Sequence, residues 1–348
     1  MSNSTFALRR TAAAALALAV LAFLWATFQP FAGKGDERVV VVIPKSAGAG
    51  EIGDLLDNKG VVPSAALFEL RAFLGGDRGD LKPGRYTLRK GMSYGDAIDR
   101  LVAGPASDIA RVTIPEGLSR VETAPLVKKA GIEGDYLKET SRAGLIPFRR
   151  YGAKTTPDSL EGFLFPATYE FKRAEGVKTL VAQQIAAFKQ RLAGVNLSYA
   201  RKKNLTVLDV VTIASMVERE AQVARERPLI AAVIYNRLHE GQPLGIDATV
   251  RYANGNWTKP LTQSELATDS PYNTRKNAGL PPGPIGNPGL DSLKAAAHPA
   301  QVDYLYYVVK PGTCGEHSFS SSSAEFERDR QRYEAAREAA GGRSPTTC

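Results

Sequence analysis

The residues best placed for acid–base chemistry are carboxylates at the end of an apolar run. Thr206 to Glu220 (TVLDVVTIASMVERE) is apolar almost throughout and closes on Val217-Glu218-Arg219-Glu220. A helix that is hydrophobic on nearly every side is a buried one, so its last turn carries glutamates out of the middle of a domain. Two positions along a helix turn by about 200°, so Glu218 and Glu220 do not share a face. Glu220 falls with Ile213, Met216 and Val217, apolar company that raises a carboxyl pKa by desolvation, as a general acid requires. Glu218 lies one turn from Ala214 and Gln222, with Arg219 adjacent, and suits a basic neighbour. The same residues also read as two helix-end surface glutamates paired with Arg219, Arg225 and Arg227.

Other candidates surround them in sequence. Leu160-Glu161-Gly162-Phe163-Leu164-Phe165-Pro166-Ala167-Thr168-Tyr169 brings a carboxylate and aromatic rings to one turn, and aromatic faces beside polar groups are what sugar rings pack on. It equally reads as a loop whose aromatics close over the core. Asp247 lies in an extended polar segment, residues 243–252, and Tyr272 and Asn273 lie in Ser270-Pro271-Tyr272-Asn273-Thr274. Residues 279–289 (GLPPGPIGNPG) are mostly Gly and Pro and form a stiff loop rather than a linker. Stiff loops bearing amides and hydroxyls suit a polar ligand such as a glycan. His239, His298 and His317 lack short metal-ligand spacing, and no lysine stands out for a Schiff base. No metal and no cofactor are therefore expected.

These residues need a scaffold of both helices and strands. Strands are predicted at residues 38–43, 83–89, 112–114 and 304–309, with the β-branched run Arg38 to Ile43 read as buried. Helices are predicted over 47–58, 64–74, 94–102, 118–129, 177–193, 206–220 and 225–238. A strand, Pro/Gly turn and helix recur about three times between residues 38 and 130, resembling a LysM-like module that binds amino-sugar glycans. Nothing in that region looks catalytic. The fold class is α+β: a small α/β module over 38–130, a second α+β domain over 135–335, and a tail, 336–348, expected to be disordered.

The chain has 348 residues, 43% of them apolar, with two Trp, 13 Tyr and 13 Phe, which excludes a disordered or collagenous chain. Its 45 Lys and Arg against 36 Asp and Glu leave +9, favouring polyanionic neighbours. Between Arg10 and Lys34 no residue is charged. A helix over 11–33 would reach roughly 30–35 Å, enough to span a bilayer. Arg9 and Arg10 place residues 1–10 in the cytoplasm and the body outside, at the inner (plasma) membrane. A cleaved signal peptide is the alternative, with Val20-Leu21-Ala22 as a poor site. An extracytoplasmic body makes nucleic acid an unsuitable partner. It also puts Cys314 and Cys348 in an oxidising space, where they could bridge, stabilising by about 3.5 kcal/mol, or remain two surface thiols.

The blocks ASMVEREAQVARERPLIAAVIYNRL, IDATV, SPYNT, GLPPGPIGNPGLDSLKAAAHP and the strand Tyr304 to Val309 followed by His317-Ser318-Phe319 resemble, in order, the endolytic murein transglycosylase (MltG, or YceG-like) family. The likeness runs from about residue 38 to 335. It implies a membrane-anchored lyase that cuts nascent peptidoglycan strands between N-acetylmuramic acid and N-acetylglucosamine, leaving 1,6-anhydro ends, in cell-wall elongation. The catalytic residue it implies is Glu220, with Glu161, Asp247, Tyr272, Asn273 and Glu218 as substrate-binding candidates. Implied partners are glycan strands, membrane lipid and peptidoglycan synthases. Three positions depart from the family pattern: Ala167 replaces an Asp, Ala248 a Pro, and Arg275 an aromatic. The alternatives are a lysozyme-like hydrolase and a non-catalytic glycan-binding scaffold; a pyridoxal-phosphate lyase fits poorly.

Overall fold

The computed structural model describes residues 16–18, 37–105 and 109–347. They divide into two compact units, with the break between Ser107 and Asp108. In the first, β1 (Arg38–Ile43) pairs antiparallel with β2 (Gly84–Arg89), Val41 facing Tyr86. Helices α1 (Ala49–Asn58) and α2 (Ala65–Gly75) lie between the strands in sequence, and α3 (Tyr94–Ala103) follows. Ser64 and Ser93 start α2 and α3 by accepting the amides of Leu67 and Asp96 at 3.4 and 3.0 Å. Ile52, Leu56, Phe68, Tyr86, Tyr94, Ile98 and Leu101 form the core. β1 is buried on one face only. Val41 and Ile43 point inward, while Val40 and Val42 are 41% and 58% exposed. A run of valines hides the period that would have told one face from the other.

The third strand-turn-helix phrase belongs to the second unit. There β3 (Ile109–Thr113) pairs antiparallel with β4 (Thr168–Lys172), joined across the edge by the Thr113 and Thr168 hydroxyls at 2.9 Å. The first unit thus ends near Ser107, where the sequence suggests residue 130, because β3 finds its partner far along the chain. The second unit continues with α4 (Arg120–Lys129), α5 (Tyr136–Thr140), α6 (Gly176–Ala193), α7 (Ser198–Lys202), α8 (Val207–Glu220) and α9 (Arg227–His239). Then come α10 (Asp247–Asn254), α11 (Gln263–Leu266), α12 (Leu290–Ala297), the antiparallel pair β5 (Tyr306–Val309) and β6 (His317–Ser320), and α13 (Ser323–Ala339).

Helix α8 is the centre of this unit. Thr206 and Asp209 form a capping box at its start, and every residue from Val210 to Val217 is buried. It packs against α9 and α12. The segment expected to be extended, 243–252, turns instead into α10, which Gly255 ends in the left-handed conformation. The tail expected to be disordered is ordered as far as Thr347. α13 runs to Ala339, supported by Arg330 with Glu327 and Glu334, and the amides of Gly312 and Thr347 bond to Pro345 and Thr313 at 3.0 and 3.1 Å. Cys314 is disulfide-bonded; Cys348 lies outside the described residues, as does the expected span 11–33 apart from 16–18. Among the described residues no helix is long and apolar enough to cross a membrane.

Candidate active site

The last turn of α8 separates its two glutamates. Glu218 accepts from Arg227 at 3.2 Å and from the Gly289 amide at 2.9 Å, so it ties α8 to the starts of α9 and α12. The expectation of a basic neighbour is met by Arg227. Arg219 instead pairs with Glu122 and lies 3.6 Å over the Trp257 ring, and Arg225 pairs with Glu316. Each arginine has its own carboxylate or ring.

Glu220 lies in a different environment. Burial raises its pKa; against that, the Tyr307 hydroxyl donates to Oε2 at 3.1 Å and the Ala248 amide also donates to the carboxylate. Asp247 pushes the pKa further up and His317 pulls it down. The Ala248 amide is in the first turn of α10, where backbone N–H groups have no partner within the helix. They are natural donors to an anion. A carboxyl so placed can hold its proton at rest and still be stabilised once ionised, the requirement for one group acting first as acid and then as base.

Asp247 itself is half exposed and pairs with Arg275 at 2.6 Å, so two unusual positions of this sequence have definite partners: Arg275 holds Asp247, and Ala248 serves Glu220. Ala167 lies partly buried against the core, its carbonyl accepting from the Ile114 amide at 3.0 Å.

Glu161 belongs to a second cluster. Its carboxylate accepts from the Arg120 amide at 3.1 and 3.2 Å and from Asn287 Nδ2 at 2.9 Å, and bonds the Tyr252 hydroxyl. Only 5% exposed, it has a pKa pushed up by burial to about 7, against the lowering effect of those donors and of Arg120 and Arg219. The Glu-Gly pair has a steric reason: Gly162 has φ +85°, and a Cβ there would lie 2.4 Å from Pro284. The stiff 279–289 loop thus packs on the Glu161 turn. A groove of about 1410 Å³ runs past it, lined by Tyr252, Trp257, Tyr272 and the prolines of that loop. Tyr252 and Tyr272 stand 4.9 Å apart. Glu220 is not among the lining residues, yet α10 joins the two clusters, with Ala248 at Glu220 and Tyr252 at Glu161.

Asn273 is not brought to either cluster as a free donor. Fully buried, it spends both amide hydrogens on the Leu266 and Thr268 carbonyls and its oxygen on the Arg275 amide, so it shapes a turn. Sequence reasoning missed Tyr307, Asn287 and Glu226. Asn287 was legible only as the one polar side chain in a Gly/Pro loop, and Tyr307 is one of three tyrosines in YLYYVV with nothing to mark its direction. Among the described residues no group of three His, Cys, Asp or Glu could hold a metal ion.

The profile of the YceG-like family matches residues 41–332. This chain belongs to the YceG-like family. A relative named endolytic murein transglycosylase from Bacillus subtilis is 31% identical over 329 residues, covering 90% of both chains. One of the same name from Streptococcus pneumoniae strain R6 is 33% identical over 312 residues, covering 80% of this chain; the match spans 55% of that longer protein. A YceG-like protein of Listeria monocytogenes, solved as a crystal structure, superposes with a TM-score of 0.54 at 31% identity, covering 84% of this chain and 98% of the other. YceG-like membership accounts for the α+β arrangement of small two-stranded sheets among helices.

Proposed function

We propose that this YceG-like chain is a membrane-anchored endolytic lytic transglycosylase of peptidoglycan, with Glu220 as its single acid–base carboxyl. The observation that carries the reading is the placement of Glu220: desolvated at the end of a buried helix, yet within reach of the Tyr307 hydroxyl and the Ala248 amide. The names of its relatives support the substrate class. Protonated Glu220 donates to the oxygen linking muramyl C1 to the next sugar's C4, and the C1–O4 bond breaks. The resulting carboxylate then takes the proton of the muramyl C6 hydroxyl as O6 bonds to C1, closing a 1,6-anhydro ring without water. Usual glycosidases divide these duties between two carboxyls.

The aromatic groove beside Glu161 is where sugar rings would lie, and the uncharged stretch 11–33 would be the anchor, with the LysM-like first unit positioning the strand. Digestion of purified peptidoglycan by the full-length protein, with chain ends identified by mass spectrometry, tests the reaction. Anhydromuramyl ends within strands are expected. Reducing ends would make it a hydrolase, and intact strands a binding scaffold.

A further inference from the structure

Next to Glu220 lies a buried pair that the reaction above does not use. Glu226, in the turn before α9, accepts twice from His317 of β6: from its backbone amide at 3.0 Å and from ring Nδ1 at 2.8 Å. The two side chains are only 6% and 5% exposed. A carboxylate accepts and does not donate, so Nδ1 carries a hydrogen and Nε2 is the remaining nitrogen. Among the described residues Nε2 has no hydrogen-bond partner. It is not sealed in either, since the buried side-chain nitrogens without partners are Gln184 Nε2 and Arg219 Nε. The imidazole stands edge-on to the Tyr307 ring, centroids 5.3 Å apart, and Tyr307 is the residue whose hydroxyl holds Glu220.

We propose that His317, locked by Glu226, is a positioning residue for Glu220: it buttresses Tyr307 and so holds in place the hydroxyl that donates to the Glu220 carboxylate. This rests on the acid–base reading of Glu220. With its backbone amide and its ring Nδ1 both held by one carboxylate, the imidazole keeps its orientation, and so does the Tyr307 face that meets it. His317 lowers the Glu220 pKa, while Asp247 raises it. The other charges nearby are already committed: Arg275 to Asp247, Arg225 to Glu316, and Arg237 to the Leu305 and Leu244 carbonyls. By holding Tyr307, whose hydroxyl donates to Glu220, His317 thus lowers the cost of ionising Glu220 once its proton has left.

The test is the pH–rate profile of anhydromuramyl end formation by the full-length protein and by His317→Asn, whose amide can still donate to Glu226. Activity falls at high pH as Glu220 loses the proton it must donate. Without His317 the carboxyl holds that proton longer, so the high-pH limb of kcat/KM should move up by about half a unit to one unit in a protein that stays folded at the assay temperature. Should His317→Asn fold poorly, His317→Gln is expected to give the same shift. A limb that stays put in both variants, with the rate lowered equally at every pH, overturns the proposal. A wild-type protein that forms no anhydro ends overturns the underlying reading instead.

Discussion

Ala248 serves Glu220 through its backbone alone, and that makes an unusual substitution informative. Proline has no N–H to give but is tolerated in a first helical turn. Ala248→Pro should therefore leave α10 in place while removing one donor from the Glu220 carboxylate. With the anion less stabilised, the carboxyl stays protonated to higher pH, and the high-pH limb of kcat/KM should rise by roughly half a unit or more. A pH–rate profile superimposable on wild type would show that the amide does not matter. At this scale the sequence separated Glu220 from Glu218, because helical geometry alone sends them to different faces, but Glu218, named among the substrate-binding candidates, is taken up by Arg227 and the Gly289 amide. The sequence was a poor guide to Asn273, since a buried amide and a ligand-binding amide look the same until its hydrogen bonds are counted, and to Tyr307, whose neighbours Tyr304 and Tyr306 share its chemistry.

Among the elements, Glu161 is the point where three segments meet: the start of α4 through the Arg120 amide, the 279–289 loop through Asn287, and α10 through Tyr252. Burial raises its pKa from the usual carboxylate range to about 7. A carboxyl whose pKa is higher folded than unfolded binds its proton more tightly in the folded state. Its contribution is full below about pH 4.5 and is lost as the pH rises through 7. The melting temperature of the wild-type protein should fall between pH 5 and pH 8, by the equivalent of about 3 kcal/mol, and Glu161→Gln should flatten that slope. Thermal melts of both proteins across the range decide it; equal slopes would place the pH dependence elsewhere. Helix α8 was legible because its capping box and its nearly continuous apolar run agree. Helix α10 was not, because eight residues are too few for a helical period to stand out, and only the Gly255 stop pointed to it.

For the molecule as a whole, the sequence conveyed the α+β class and the family before any geometry. It misplaced the border between the two units because strand pairing is long-range: nothing local to residues 109–113 says that 168–172 is their partner. What the whole molecule adds to the site is a buried helix, α8, whose two terminal glutamates take opposite parts, Glu218 binding the scaffold to itself and Glu220 facing the donors of α10 and β5. The direct measurement is the rate of anhydromuramyl end formation from purified peptidoglycan by the full-length protein and by Glu220→Gln, with Glu218→Gln as control. Glu220→Gln should remain folded and lose at least about 10²-fold in rate, the usual scale for general acid–base help. Glu218→Gln should lose chiefly thermal stability, by about 3 kcal/mol, for a broken buried ion pair. Wild-type rates from Glu220→Gln, or loss of chemistry in a fully stable Glu218→Gln, would contradict the assignment of Glu220.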